Sequence, residues 1–128
     1  MSGGHYDYAQ YQISIIAETL LEDIRNNDSD VKNEWGGTVG RHYSKETVEK
    51  LILGYSLLQL ASTFSQRADW LYSGDDGEEN FHERLDEDIN ALLNFVNSIE
   101  GVRTDNAQRL IAVVQIMLNQ IGKPENEK

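Results

Sequence analysis

A single proline, Pro124, interrupts the 128-residue chain, and apolar side chains recur at intervals of three and four residues almost throughout it. That spacing lines one side of a helix with 3.6 residues per turn, whereas a half-buried strand would need strict alternation. The expected fold is therefore all-α. Ala9, Ile13, Ile16, Ala17, Leu20 and Ile24 fall on one side of a first helix running from about Tyr6 to Asn26. Residues 26–44 then lose the periodicity and bring in Asn, Asp and three glycines, which is loop chemistry.

Ser44 is placed to cap a second helix whose periodicity continues to about Tyr72. The run SGDDG at residues 73–77 ends it, and Asp75 or Asp76 is positioned to cap a third helix, whose early Glu78 and Glu79 suit the positive end of the helix dipole. Phe81, Leu85, Ile89, Leu92, Val96 and Ile99 make a continuous stripe on that helix, and Gly101 is its natural stop. Thr104 or Asp105 then caps a fourth helix carrying Ala107, Leu110, Val114, Met117 and Ile121, with Gly122 at its end. Short links make helices two, three and four antiparallel neighbours, while the long loop before helix two can cross the end of a bundle. The expectation is one antiparallel four-helix bundle-like domain over residues 1–128, with residues 1–5 and 123–128 frayed.

The charge balance narrows the function classes. The formal net charge is −11, with 22 acidic against 11 basic side chains, so docking on nucleic acid phosphates through a basic patch is disfavoured and a basic protein partner is favoured. The absence of cysteine excludes thiol catalysis, disulfides and thiolate metal sites. The opening MSGGHYDYAQ lacks signal-peptide character, and no apolar run reaches the roughly 20 residues of a membrane span. A cytosolic protein, with no membrane contact, is the expectation.

Residues 69–88, DWLYSGDDGEENFHERLDED, concentrate nine of the 22 acids with one basic residue, Arg84. Asp75, Asp76, Glu78, Glu79, Glu83, Asp86 and Glu87 are the candidate partner-binding surface. Advancing 100° per residue from Leu85 puts Glu79, Glu83, Asp86 and Glu87 on the side of the helix opposite the apolar stripe, with His82 at its border. An outward acidic face suits a solvated surface or a docking surface. Glu79, Glu83 and Asp86 would hold Mg²⁺ only if a neighbouring helix added a carboxylate, Glu18 or Glu22 of helix one being the available donors.

Other constellations are thinner. Glu79 and His82 have the Glu-x-x-His spacing of a helical di-metal ligand pair, but a single outward pair is ordinary surface chemistry. Aligning Gly77 with the glycine of a calcium loop puts Tyr72 and Gly74 where oxygen ligands belong, so no such loop is expected. The loop WGGTVGRHY at residues 35–43 offers backbone amides to an anion but lacks a P-loop ending, and reads first as a flexible connection. Trp35 and Trp70 suit either loop anchoring or a contact surface, and no residue is paired with a base for nucleophilic catalysis. No catalytic residue is assigned.

Helices one and two carry more apolar surface than one core needs. Tyr8, Tyr11 and Ile15 lie opposite the core stripe of helix one. Helix two bears a second stripe that includes Leu53, Leu57, Leu60 and Phe64. Such a helix is central in its own fold or shared with a second chain, so these seven residues are the candidate homodimer interface.

Glu79, Glu83 and Asp86 are spaced in a way that resembles the all-α nucleotide pyrophosphohydrolases, which implies Mg²⁺ held against a triphosphate; the chain departs from that family in lacking a convincing partner helix. Residues 66–89, QRADWLYSGDDGEENFHERLDEDI, resemble small acidic helical proteins of bacteriophage and prophage genomes. That resemblance implies a protein acting on a host factor in the host cytoplasm, by analogy with acidic inhibitors that occupy nucleic-acid-binding clefts. The leading expectation is a non-enzymatic, acidic protein-interaction module. The alternatives are the Mg²⁺-dependent enzyme and a plain assembly subunit.

Overall fold

The structure, a computed structural model, describes residues 4–122; the expectations for residues 1–3 and 123–128, including Pro124, lie outside them. Four helices follow in order: α1 Gln10–Arg25, α2 Lys45–Tyr72, α3 Glu78–Asn97 and α4 Asp105–Gln120. The all-α, bundle-like expectation holds. Gln10 of α1 bonds to Gln66 and Asp69 near the end of α2, while Leu20 and Ile24 lie with Val48 and Leu51 near its start, so the two helices run antiparallel. Arg67 meets Asp88 and Tyr55 meets Phe95, which sets α3 antiparallel to α2 as well.

α2 is the helix the others share. It packs against α1, α3 and α4; α3 and α4 pack on each other, and α1 runs alongside α2 alone. Residues from all four helices nonetheless enter one core, among them Ala17, Ile52, Tyr55, Ile89, Val96 and Ile111. At its far end α1 reaches α3 through the Arg25 guanidinium, 5.8 Å from the centre of the Phe95 ring.

The ends of the helices follow local chemistry in part. Ser44 caps α2, its hydroxyl accepting from the Thr47 N–H. Neither Asp75 nor Asp76 caps α3: Gly77 occupies that position without a side-chain bond, because Asp76 is engaged by Arg67. Thr104 stands at the start of α4, but its hydroxyl accepts from Gln108 Nε2 instead of a backbone amide. Gly74 and Gly101 take left-handed φ values of 82° and 78° where the chain leaves α2 and α3.

Helix α1 begins at Gln10, four residues later than expected, because Asp7 and Tyr8 adopt left-handed φ values of 58° and 62°. Gly4 and His5 are held in turns instead of fraying: Gly4 C=O accepts from Asp7 N–H, and the His5 N–H is bonded to Asp69. The buried side of α1 is Gln10, Ala17, Leu21 and Ile24, so Ile16 and Ala9 lie outside the core assigned to them. On α4, Ala107 is buried as expected and Ile111 supplies the second buried position, while Met117, and Ile121 just past the helix, are exposed.

The connection at residues 26–44 folds back on itself. Asn33 N–H donates to Gly37 C=O and Val39 N–H to Val31 C=O; the Asn27 side chain donates to Tyr43 C=O and accepts from Tyr43 N–H, and Asn27 C=O accepts from His42 N–H. Gly40 is where this loop closes: a Cβ there would stand 2.5 Å from Asn27 C=O and 2.6 Å from both Asn26 C=O and Ser29 N. All three are backbone atoms that cannot rotate away. Gly40→Ala is accordingly expected to destabilise the fold by about 2 kcal/mol, read by denaturant titration, with helix content at zero denaturant preserved.

Candidate functional site

The acidic run divides by what each carboxylate touches. Arg67 and Asp69, two residues apart on α2, are both buried. Arg67 Nε donates to Asp88 Oδ2 at 2.7 Å and Nη1 to Asp76 Oδ2 at 3.3 Å, while the guanidinium lies 4.7 Å from the centre of the Trp70 ring. One cation thereby holds the turn at Asp76 and the third turn of α3 against the end of α2. Asp76 is thus a structural residue, with a side chain only 10% exposed, and leaves the partner surface to which its sequence assigns it.

Asp69 is sealed from solvent, at 0% exposure, and is met by donors alone. Oδ1 accepts from His5 N–H at 2.6 Å, Tyr6 N–H at 3.2 Å and Ser73 Oγ at 3.4 Å; Oδ2 accepts from Gln10 Nε2 at 2.8 Å. Burial, the largest influence, pushes this carboxyl up, but the bonds from Gln10, Tyr6, His5 and Ser73 outweigh it and hold the group below the usual carboxylate range. The His5 ring stacks on Tyr72 at 5.0 Å, so the segment before α1 is clamped over the end of α2. In the same knot Gln10 Oε1 and Gln66 Nε2 are buried without a hydrogen-bond partner among the described residues.

The remaining acids face water. Glu78, Glu79, Glu83, Asp86 and Glu87 are exposed, and among the described residues none of them forms an ion pair. Asp75 is exposed too, in the turn before them. Glu79, Glu83 and Glu87 stand one turn apart in a single column with Asp86 beside it. Like charges at that spacing cost an isolated helix roughly 0.2–0.5 kcal/mol per pair. The helix dipole offsets part of that cost at Glu79, in the first turn, but no ion pair among the described residues offsets it at Glu83 or Glu87.

Other sequence candidates are dispersed. Glu18 and Glu22 stand on α1, which does not run beside α3, and among the described residues no group of three or more His, Asp or Glu converges as a metal site. The set Glu79, Glu83 and Asp86 therefore gains no carboxylate from α1 for Mg²⁺. In the loop, which the sequence reads first as a flexible connection, the amides of Trp35 and Gly37 donate to Asn33 Oδ1 and that of Gly36 to Asn33 C=O, so the amides an anion would need are taken by the loop's own asparagine. Trp35 is exposed at the tip of that loop, whereas Trp70 is half-buried over Arg67.

The candidate interface residues separate likewise. Leu60 belongs to the core, and Phe64 packs against it. Leu57 is exposed and Leu53 half-buried on α2. Tyr8, Tyr11 and Ile15 are exposed, the two tyrosines stacked with ring centres 6.1 Å apart. Tyr11 and Ile15 lie on the side of α1 turned away from its buried residues, so they do not form one patch with Leu57.

The residues that sequence reasoning passed over are Arg67, Asp69 and Gln10. Their signal is polarity at positions surrounded by apolar spacing; the partners Asp88 of Arg67 and His5 of Asp69, 21 and 64 residues away along the chain, carry no local mark. No described helix is long and apolar enough to cross a membrane. Comparison with known proteins finds no matching family model, curated protein or solved structure.

Two outcomes test this division. Arg67→Met, which strands Asp76 and Asp88, should cost about 3 kcal/mol and lower the melting temperature by roughly 10 °C, whereas Glu83→Gln should change stability by less than about 0.5 kcal/mol. A carboxyl whose folded pKa is depressed adds stability above its unfolded pKa, and that stability is lost as pH falls through the folded value. Stability should therefore decline below about pH 4, and Asp69→Asn should flatten that acid limb in chemical denaturation across pH.

Proposed function

We propose that this chain is a non-enzymatic interaction module whose α3 ridge, formed by Glu79, Glu83, Asp86 and Glu87, docks on a basic surface of another protein. One observation carries the reading: after Asp69, Asp76 and Asp88 are assigned to the fold, a column of carboxylates is left exposed that forms no ion pair among the described residues. A net charge of −11 extends the attraction beyond contact range and favours a partner whose face is rich in lysine and arginine. Surfaces of that kind ordinarily bind nucleic acid. The likeness of residues 66–89 to phage proteins supports a host protein as the target.

The partner is sought by capture from bacterial lysate at low salt, then purified and titrated. Binding should weaken by about tenfold or more when Glu79, Glu83 and Glu87 are changed together to lysine, should weaken with added salt, and should be displaced by duplex DNA. Circular dichroism should be unchanged, since all three side chains are exposed. Undiminished binding by the folded triple variant would sink the proposal.

A further inference from the structure

The second face of α2 has a different chemistry from the ridge. Between Lys50 and Asp75 the only charged residues are Arg67 and Asp69, and both are buried and bonded inward. Leu53, Gly54, Leu57, Ala61, Ala68 and Leu71 fall within an arc of about 100° on the side of α2 opposite Ile52. Leu57 is 51% exposed, Ala61 is exposed and the other four are half-buried. The face is open because α1 and α4 each pack on α2 but not on each other. It borders α1 where Ser65 shares a shallow hollow with Ala9 and Ile13.

Gly54 sharpens the point. A glycine inside a helix weakens it relative to alanine, yet a Cβ at Gly54 would meet nothing within 4 Å. The described fold gives no reason for it. Close approach of another backbone does, and Ala61 and Ala68 repeat the small side chain at seven-residue intervals along the same line.

We infer that this face is the contact between two copies of the chain, packed α2 against α2 about a twofold axis. The charge distribution selects that occupant. A basic partner finds no carboxylate here, whereas two copies that each carry −11 can come together only where acids are absent, and this is such a face. Its size is sufficient: from Leu53 to Leu71 the helix rises about 27 Å, and a strip of that length spanning roughly 20 Å between flanking helices removes about 1,000 Å² in total from two copies, the threshold of a specific interface.

Sedimentation equilibrium of the full chain should give twice the single-chain mass of 14.6 kDa. Leu57→Glu and Gly54→Leu should each weaken association by about tenfold or more while leaving circular dichroism unchanged, and Glu83→Gln should leave the dimer intact. Because approach of two acidic chains is opposed by repulsion, association should tighten with added salt, the reverse of ridge docking. A single-chain mass at the highest concentration reached overturns the inference. So does a dimer indifferent to both α2 substitutions, one that loosens with salt, or a monomer that buries this face against a different protein.

Discussion

Arg67 and Asp69 sit two residues apart on α2 and therefore point to nearly opposite sides of it, so taking both out of water obliges the chain to deliver partners from two directions. On one side Arg67 draws in Asp76 and Asp88, which determines how tightly the chain turns into α3 and how α3 lies. On the other, Asp69 draws in two backbone amides and Gln10, which determines how the segment before α1 enters and where α1 begins. The left-handed backbone of Asp7 and Tyr8 is the local strain accepted to present those amides.

A helix tied on both sides becomes the shared member of its bundle. With 28 residues, α2 is long enough to serve α1, α3 and α4 along its length. The arrangement differs from a square four-helix bundle, in which the first and last helices would also meet. The difference is what leaves part of α2 uncovered while the buried core still joins residues of all four helices.

How far the sequence was legible follows from how local each determinant is. The stripe on α3, Leu85, Ile89, Leu92 and Val96, was readable because amphipathic spacing and burial coincide there. The Ser44 cap was readable because a cap is made within one turn. On α1 the stripe was displaced toward Gln10 and Leu21, since a buried glutamine is counted as surface unless its distant carboxylate partner is known. Asp76 was misread as a cap and as a docking acid for the same reason: Arg67 claims it across the turn. The ridge itself was legible, because a helical projection suffices to say which acids oppose an apolar stripe. Its lack of ion pairs was not, since Arg84 lies adjacent in sequence and yet pairs with none of them.

The molecule sorts its charge into three zones, and the sorting links its two proposed contacts. Asp69, Asp76 and Asp88, at the end of α2, are neutralised by Arg67 or held by amide donors; the acids on the outer side of α3 are exposed and form no ion pair among the described residues; the open face of α2 has none. If two copies join through that last zone, the pair carries two ridges, and a partner with two basic faces, or a basic lattice, is held at an effective concentration set by the rigid spacing of the ridges. Affinity then rises without any further contact, which suits a ridge whose individual exposed charges each contribute little in salt. Mutual repulsion between the two acidic chains weakens the pair before binding, and a basic partner seated across both ridges relieves that repulsion. In such a pair dimerisation and docking would be coupled with positive sign through electrostatics alone, the same net charge opposing assembly of the free protein and favouring assembly of the bound one.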